Sequence, residues 1–273
     1  MFSLELFRGT VRLWRVPALA WPLGWGAYVF LVGWSVIIIS QTLDMTQYLN
    51  SLPPGILQAF GIERFDVPGG DRALAAIYYL TVNVFSTALI VAAIFAMFIA
   101  PGLMAREVDR GTIDTLLARP LRRRAYVLTR FAFYLVMSVA LAVLTAAAMA
   151  LTIGPIGGFA VPWRGLAIAA ALFGLAALAF GSIGFAVAAW RLSTGAGTAA
   201  VALVLALMFI LNLAAPAVPW LDGPSRLSFY TYWKPVDLVI REHVAWDAPL
   251  VFAGVSIAAT VLAIEIFARR DIA

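Results

Sequence analysis

The sequence predicts an all-α integral membrane protein with six transmembrane helices and both termini in the cytoplasm. Hydrophobic residues make up 63% of the 273 residues and charged residues only 12%, whereas soluble domains carry about 25% charged residues. The mean hydropathy is +0.96. Six apolar runs each approach the roughly 20 residues that cross a bilayer. Because no polar run is long enough for a soluble domain, residues 1–273 are expected to form a single membrane domain.

An even number of spans places both termini on the same side of the membrane. The predicted spans are residues 18–39, 77–104, 127–153, 165–190, 195–218 and 249–268. Thirteen of the 19 basic residues lie on the side of the termini: three before the first span, seven between residues 104 and 130, and Arg191, Arg269 and Arg270. The positive-inside rule assigns this side to the cytoplasm. The same bias explains the net charge of +5 without a nucleic-acid partner.

Residues 1–16 are predicted to form an amphipathic helix on the inner surface of the membrane. Apolar side chains follow one side of this helix and arginines another. The apolar residues are Leu4, Phe7, Val11 and Trp14, and the basic ones are Arg8, Arg12 and Arg15. Such a helix is either a topology anchor or an elbow that braces the first span. In both cases the candidate contacts with membrane lipids are Arg8, Arg12, Trp14 and Arg15.

Two segments outside the spans are predicted to lie at the outer interface of the membrane. Residues 41–76 hold several apolar side chains around Pro53 and Pro54, so this segment is too apolar for a free loop and too broken for a span. Residues 219–248 are rich in Trp, Tyr and Pro. That composition is typical of the aromatic belt at a membrane interface.

Residues 105–125 form the one strongly charged island in the chain and lie between the second and third spans. Topology therefore places them in the cytoplasm. Gly111 and Thr112 are expected to open a short helix here, with Thr112 as its N-cap, and Pro120 to end it. One face of this helix is apolar and is formed by Ile113, Leu116 and Leu117. A helix this short is not stable alone, so its apolar face needs a partner outside the membrane.

The sequence lacks the residues from which catalytic, metal and nucleotide sites are built. The chain has no cysteine, and its one histidine, His243, lies in a predicted external loop. The phosphate-binding pattern Gly-x-x-x-x-Gly-Lys-Ser/Thr does not occur. Any ATP-driven process therefore needs another subunit, and an intramembrane enzyme is the least favoured class of function.

Few polar side chains lie within the predicted spans. Glu265 is the one clear ionisable candidate, and its position one turn before Arg269 predicts an ion pair that reaches the interface. The neutral polar side chains are Thr81, Asn83, Ser86 and Thr87 in the second span, Ser138 and Thr145 in the third, and Asn212 in the fifth. Such groups either line a path or hydrogen-bond between helices. With so little charge, these spans suit an apolar or amphipathic substrate better than an ion.

The charged island resembles the signature cytoplasmic loop of the type-2 permeases of ATP-binding-cassette (ABC) transporters. In that family an acidic residue, a Gly-Thr pair, a Leu-Leu pair and a Pro-x-x-Arg follow in this order. The matching residues here are Arg106, Glu107, Arg110, Gly111, Thr112, Leu116, Leu117, Pro120, Leu121 and Arg123. Two weaker matches agree with it, namely an aromatic outer segment (Leu227, Ser228, Tyr230, Tyr232, Pro235) and a closing tail (Phe267, Arg269, Arg270, Asp271).

The resemblance implies a homodimer of this chain, or a pair with a similar one, that carries two separate ATPase subunits. ATP and Mg would bind to those subunits, and this chain would hold no cofactor, metal or catalytic residue. The island would contain the coupling helix, whose apolar face docks on the ATPase with Glu107 and Arg110 at the polar rim. The implied coupling residues are Glu107, Arg110, Gly111, Thr112, Ile113, Leu116, Leu117 and Pro120. Because the second and fifth spans line the central path in the family, Asn83, Ser86, Thr87 and Asn212 are the implied path residues.

The expected function is that of a permease in the plasma membrane, the inner membrane of a bacterium, which exports a hydrophobic or amphipathic small molecule by alternating access. The alternative is a membrane-embedded assembly or maturation factor that uses the same ATP-driven motion mechanically and moves no solute.

Overall fold

The computed structural model describes residues 4–42, 47, 51, 72–112, 122–156, 160–215 and 218–269. Regular structure in this part of the chain is helical throughout. In chain order the helices are α1 (Leu4–Thr42), α2 (Arg72–Asp109), α3 (Arg123–Ile153), α4 (Trp163–Arg191), α5 (Thr194–Ala214), α6 (Asp222–Ser225), α7 (Phe229–Tyr232), α8 (Pro235–Val239) and α9 (Asp247–Arg269). Two single-turn 3-10 helices, Gly154–Ile156 and Pro219–Leu221, follow α3 and precede α6.

Six of these helices are long and apolar enough to cross a membrane, which confirms the predicted number of spans. They cover Leu4–Ser40, Ala73–Asp109, Arg123–Ile156, Trp163–Arg191, Thr194–Ala214 and Asp247–Arg269. The ends of α2, α3, α4, α5 and α9 lie within five residues of the predicted limits. Apolar run length therefore locates these five helices well, because a span must carry an apolar surface over its whole transmembrane length.

The first helix differs from its prediction, because the amphipathic segment and the first span form one continuous helix. α1 has 39 residues and contains Pro17 and Pro22. At 1.5 Å per residue it is about 58 Å long, well beyond the roughly 30 Å of a hydrocarbon core. A proline removes a hydrogen bond and tends to bend a helix, but it does not have to end one. The change from polar to apolar residues near position 17 therefore marks no break in the backbone.

Trp14 also differs from its prediction as a lipid contact. Arg8, Arg12 and Arg15 are exposed, whereas Trp14 is buried inside the bundle. A Cβ atom added to Gly102 of α2 would lie 2.8 Å from Cη2 of Trp14. The indole thus fills the space that the missing side chain of Gly102 leaves, and it joins α1 to α2.

The fourth helix is the centre of the bundle and contacts α2, α3, α5 and α9. A helix surrounded in this way must be apolar on all sides, and small residues let its neighbours come close. A Cβ atom on Gly181 would overlap the ring of Tyr134 from α3. The Tyr134 hydroxyl donates to the Ala177 carbonyl oxygen over 2.7 Å, and its ring stacks on Phe95 of α2. Gly181 therefore sits where α2, α3 and α4 meet.

The segment before α9, which was predicted to lie at the outer interface, packs partly into the bundle. Phe229 packs between Phe180 and Phe252, with ring centroids 4.9 and 4.8 Å apart. Trp233 donates its indole N–H to the Phe85 carbonyl oxygen over 2.7 Å. Large apolar side chains such as Trp246 remain exposed, as an interfacial segment requires. Most of the other predicted interfacial segment, residues 41–76, lies outside the described residues.

Candidate functional site

The last turn of α2 forms the start of the charged island. The Gly111 N–H donates to the Val108 carbonyl oxygen (3.0 Å) and the Thr112 N–H to that of Glu107 (2.9 Å). Gly111 has a φ of +66°. Together these features form a Schellman motif, which ends a helix. Gly111 therefore closes α2.

The predicted coupling helix itself falls on residues that the structure does not describe. Ile113, Leu116, Leu117 and Pro120 belong to residues 113–121, outside the described ranges. Their roles remain predictions from the sequence. Arg110, Gly111 and Thr112 are described and exposed, so they are accessible to a partner protein.

Glu107 lies inside the bundle and not at an exposed rim. Its side chain is only 12% exposed and forms an ion pair with Nη2 of Arg130 from α3. The Tyr126 hydroxyl lies 3.0 Å from Oε2 of Glu107 and 3.2 Å from the Met104 carbonyl oxygen, positioned to donate to either. The acidic residue of the signature loop is therefore used within the chain, and Arg110 is the rim charge that remains free to meet a partner.

Arg130 is the centre of this polar cluster and is itself 3% exposed. Its Nη1 donates to Oγ1 of Thr10 from α1 over 3.0 Å. The guanidinium also lies over the Tyr126 ring, 5.3 Å from its centroid. A buried charge is costly unless it is paired, and removing one partner of such a pair typically costs about 3–5 kcal/mol. The cluster of Glu107, Arg130, Tyr126 and Thr10 thus joins α1, α2 and α3.

A second contact joins the end of α2 to the start of α5. The Thr194 N–H donates to Oδ2 of Asp109 over 3.0 Å. A carboxylate at a helix N-terminus accepts from the open N–H groups and interacts favourably with the helix dipole. About one turn further along α5, a Cβ atom on Gly197 would lie 2.8 Å from both the Gly184 carbonyl oxygen and Cβ of Pro101. This close approach fixes α5 against α2 and α4.

Helix α9 reaches the same end of the bundle. Its Phe267 ring stacks on Tyr126 at 5.3 Å. Glu265 pairs with Arg269 at 3.6 Å, which confirms the predicted ion pair, and with Arg124 of α3 at 2.9 Å. These groups are largely exposed, so solvent screens the pairs and they contribute little stability. The end of α2 is thus surrounded by α1, α3, α5 and, through Tyr126, α9.

Residues 21–272 match the family model described as ABC-2 family transporter protein. The chain belongs to this family. The resemblance to type-2 ABC transporter permeases is therefore confirmed, and the permease is a multi-pass membrane protein that works with an ATPase partner. Among curated proteins, none matches the chain.

Among the residues that the structure describes, no hydrogen bond joins a predicted path residue of the permease to another helix. The Asn83 amide donates to the Tyr79 carbonyl oxygen (3.1 Å) and the Thr87 hydroxyl to that of Val84 (3.0 Å). Ser86 likewise reaches Asn83 O at 3.4 Å. All three are half-buried on α2, and Asn212 is half-buried on α5. The polar groups of the three residues on α2 bond to the backbone of α2 itself, which leaves the walls around them apolar.

Thr87 also lines a pocket of about 440 Å³ between α1 and α2. Its other lining residues are aromatic, aliphatic or glycine: Ala20, Trp21, Gly24, Trp25, Tyr28 and Val91. Trp25 is held in place because its indole N–H donates to Oγ1 of Thr145 over 2.9 Å.

Among the residues that the structure describes, no group of three or more His, Cys, Asp or Glu could hold a metal ion.

Sequence reasoning missed the polar cluster that Arg130 and Tyr126 form with Glu107 and Thr10. The statement that Glu265 is the one clear ionisable residue in a span is wrong, since Arg130 lies inside the predicted third span, 127–153, and is more deeply buried. Arg130 was assigned to the positive charges of the loop, so its place within the predicted third span was overlooked. Its position three residues inside an apolar run was the available signal, because charges within spans are rare and usually have a function.

Proposed function

We propose that this permease exports a hydrophobic or amphipathic small molecule by alternating access, as a homodimer with two ATPase subunits on the cytoplasmic face. The observation that carries the proposal is the convergence of α1, α3 and α5 on the last turn of α2, which forms the start of the charged island. A displacement of the island by a partner therefore reaches four helices at once. The apolar face of residues 113–120 is the proposed docking surface.

The proposed substrate class follows from the surfaces that the spans present. The pocket between α1 and α2 is bounded by aromatic and small apolar groups, with the Thr87 hydroxyl donating to its own helix. Among the described residues, no Asp, Glu, His, Lys or Arg side chain lines this pocket. Such a surface suits an apolar or amphipathic molecule. It disfavours a small ion, because the ion would lose its hydration shell and gain no polar partner in its place.

The proposed homodimer is supported by the unused surface of α5. Only Gly197 and Val201 of this helix are buried in the single chain. Leu203, Leu207 and Ile210 are exposed along it. A second copy related by two-fold symmetry would cover such faces and place α2 and α5 of both copies around one central path.

The proposed topology gives a labelling prediction that exploits the absence of cysteine from this chain. Single Arg110→Cys and Trp246→Cys variants place one thiol at each end of the bundle, both at exposed positions. A membrane-impermeant maleimide is expected to label Trp246→Cys in intact cells and Arg110→Cys only after permeabilisation. The reversed pattern would show that the charged island and the termini lie outside.

The proposed function is tested by purifying the permease with its ATPase and reconstituting the complex in sealed vesicles. Association is expected to change the rate of ATP hydrolysis, and ATP is expected to drive uptake of a lipophilic fluorescent dye into inside-out vesicles. A partner ATPase with its phosphate-loop lysine replaced is the control for ATP dependence. Coupled hydrolysis without uptake of dye or of endogenous lipid would instead support the mechanical assembly factor.

A further inference from the structure

We propose that Arg130 is a positioning residue that holds the loop-bearing end of α2 against α1 and α3, so that these three helices move as one body when the charged island moves. The inference rests on the proposed function, in which a partner ATPase displaces the island. Arg130 contacts neither nucleotide nor substrate in this role. It acts through Glu107 and Thr10.

The two terminal nitrogens of the Arg130 guanidinium, Nη1 and Nη2, connect α3 to α1 and α2. Its Nη2 pairs with Glu107 at the end of α2, and its Nη1 donates to Oγ1 of Thr10 in α1 over 3.0 Å. The Thr10 hydroxyl donates its own proton to the Leu6 carbonyl oxygen (2.8 Å), so its lone pairs remain for Arg130. A planar guanidinium holds its donors in a rigid fork, whereas a lysine ammonium is a single point charge on a flexible stem.

The cluster also lies where a displacement of the island enters the bundle. The Glu107 carbonyl oxygen accepts the Thr112 N–H over 2.9 Å, and the carboxylate of the same residue holds Arg130. Glu107 therefore connects Thr112 directly to Arg130, so a displacement of Thr112 is transmitted to Arg130 through Glu107. Tyr126 braces the carboxylate with its hydroxyl at 3.0 Å, and it passes the contact on to α9 through Phe267.

Stability alone does not account for this arrangement. Well-packed apolar residues in place of a buried ion pair are often as stable or more stable. Within the described part of the chain, Nε of Arg130 is buried without a hydrogen-bond partner. What the cluster adds is a single fixed register between α1, α2 and α3. The Thr10 link precedes residue 21, where the family match begins, so it is a feature of this chain beyond the matched region.

The decisive comparison is between Thr10→Val and Thr10→Ser in the complete permease–ATPase complex. Serine keeps the hydroxyl that accepts from Arg130, whereas valine is close to threonine in shape and lacks it. Two quantities are measured: the amount of ATPase retained by the permease, and the factor by which ATP hydrolysis changes on association. Both variants are expected to retain the ATPase. Thr10→Ser should keep the factor, and Thr10→Val should lower it about fivefold.

A second pair of variants separates the forked geometry from the positive charge. Arg130→Lys keeps the charge but does not bridge Glu107 and Thr10, so the same loss of about fivefold is expected. Arg124→Lys is the matched control, because Arg124 lies on the same helix, pairs with Glu265 at 2.9 Å and is 62% exposed. This control is expected to leave the factor unchanged.

Each remaining outcome counts against one of the two proposals. Full coupling in Thr10→Val and Arg130→Lys would overturn the positioning role. So would an equal loss of coupling in Thr10→Ser and Thr10→Val, or a loss that only parallels a loss of bound ATPase. Should Arg130→Lys fail to fold, the Thr10 pair decides the question. A wild-type permease that leaves hydrolysis unchanged on association would overturn the proposed function, and this inference with it.

Discussion

Leu116→Asp is expected to abolish co-purification of the ATPase while the permease stays folded in the membrane. Leu116 lies with Ile113 and Leu117 on the predicted apolar face of the island. If this face is the docked surface, the substitution buries an unpaired carboxylate, which costs about 3–5 kcal/mol. That cost weakens association at least about a hundredfold. The measurement is the amount of ATPase that a tagged permease retains, together with the dissociation constant of the pair.

Two further variants show whether the apolar face is responsible. Leu117→Asp should behave like Leu116→Asp, because both residues lie on the proposed face. Arg122→Ala, an exposed change at the end of the same loop, should leave the ATPase bound. Retention of the ATPase by both aspartate variants would show that the docking surface lies elsewhere. Loss of binding in all three would point to the loop as a whole and not to its apolar face.

The spans were predictable because the bilayer imposes their length and composition on the sequence. Five helix positions follow from apolar runs alone, to within five residues. The length of α1 was not predictable in this way, since hydropathy reports which residues meet lipid and not where a backbone bends. Pro17 and Pro22 lie inside one helix. Trp14 was equally hidden, because the space it fills is created by Gly102, 88 residues later in the chain.

The candidate site was predictable only in part, since charge pattern does not reveal which side of a helix a neighbour covers. Glu107 and Arg110 lie three residues apart and are both charged, yet the Glu107 side chain is only 12% exposed and Arg110 is exposed. The difference depends on Arg130, 23 residues further on, whose side chain turns towards Glu107. Only the packing of α3 on α2 brings these two residues together. The resemblance to the family's signature loop drew attention to Glu107. It gave no indication that the partner of Glu107 lies within the same chain.

Gly181→Leu in α4 is expected to destabilise the permease strongly. A Cβ atom at this position already overlaps the Tyr134 ring. That ring has no room to move, since it is fully buried, stacks on Phe95 at 5.4 Å and donates its hydroxyl to Ala177 O at 2.7 Å. Overpacking of this kind typically costs about 1–3 kcal/mol, and more where neighbours are rigid. The measurement is the fraction of detergent-purified permease that stays monodisperse after heating.

Gly254→Leu is the matched control, because it makes the same substitution in α9 where a Cβ atom meets nothing within 4 Å. Both changes add the same side chain to an apolar helix and alter helix propensity equally. A difference between them therefore measures packing at the junction of α2, α3 and α4. If Gly181→Leu is as resistant to heating as Gly254→Leu, the three helices are not closely packed at Tyr134. The contact of Gly181 with the Tyr134 ring would then not be what fixes α2, α3 and α4 against one another.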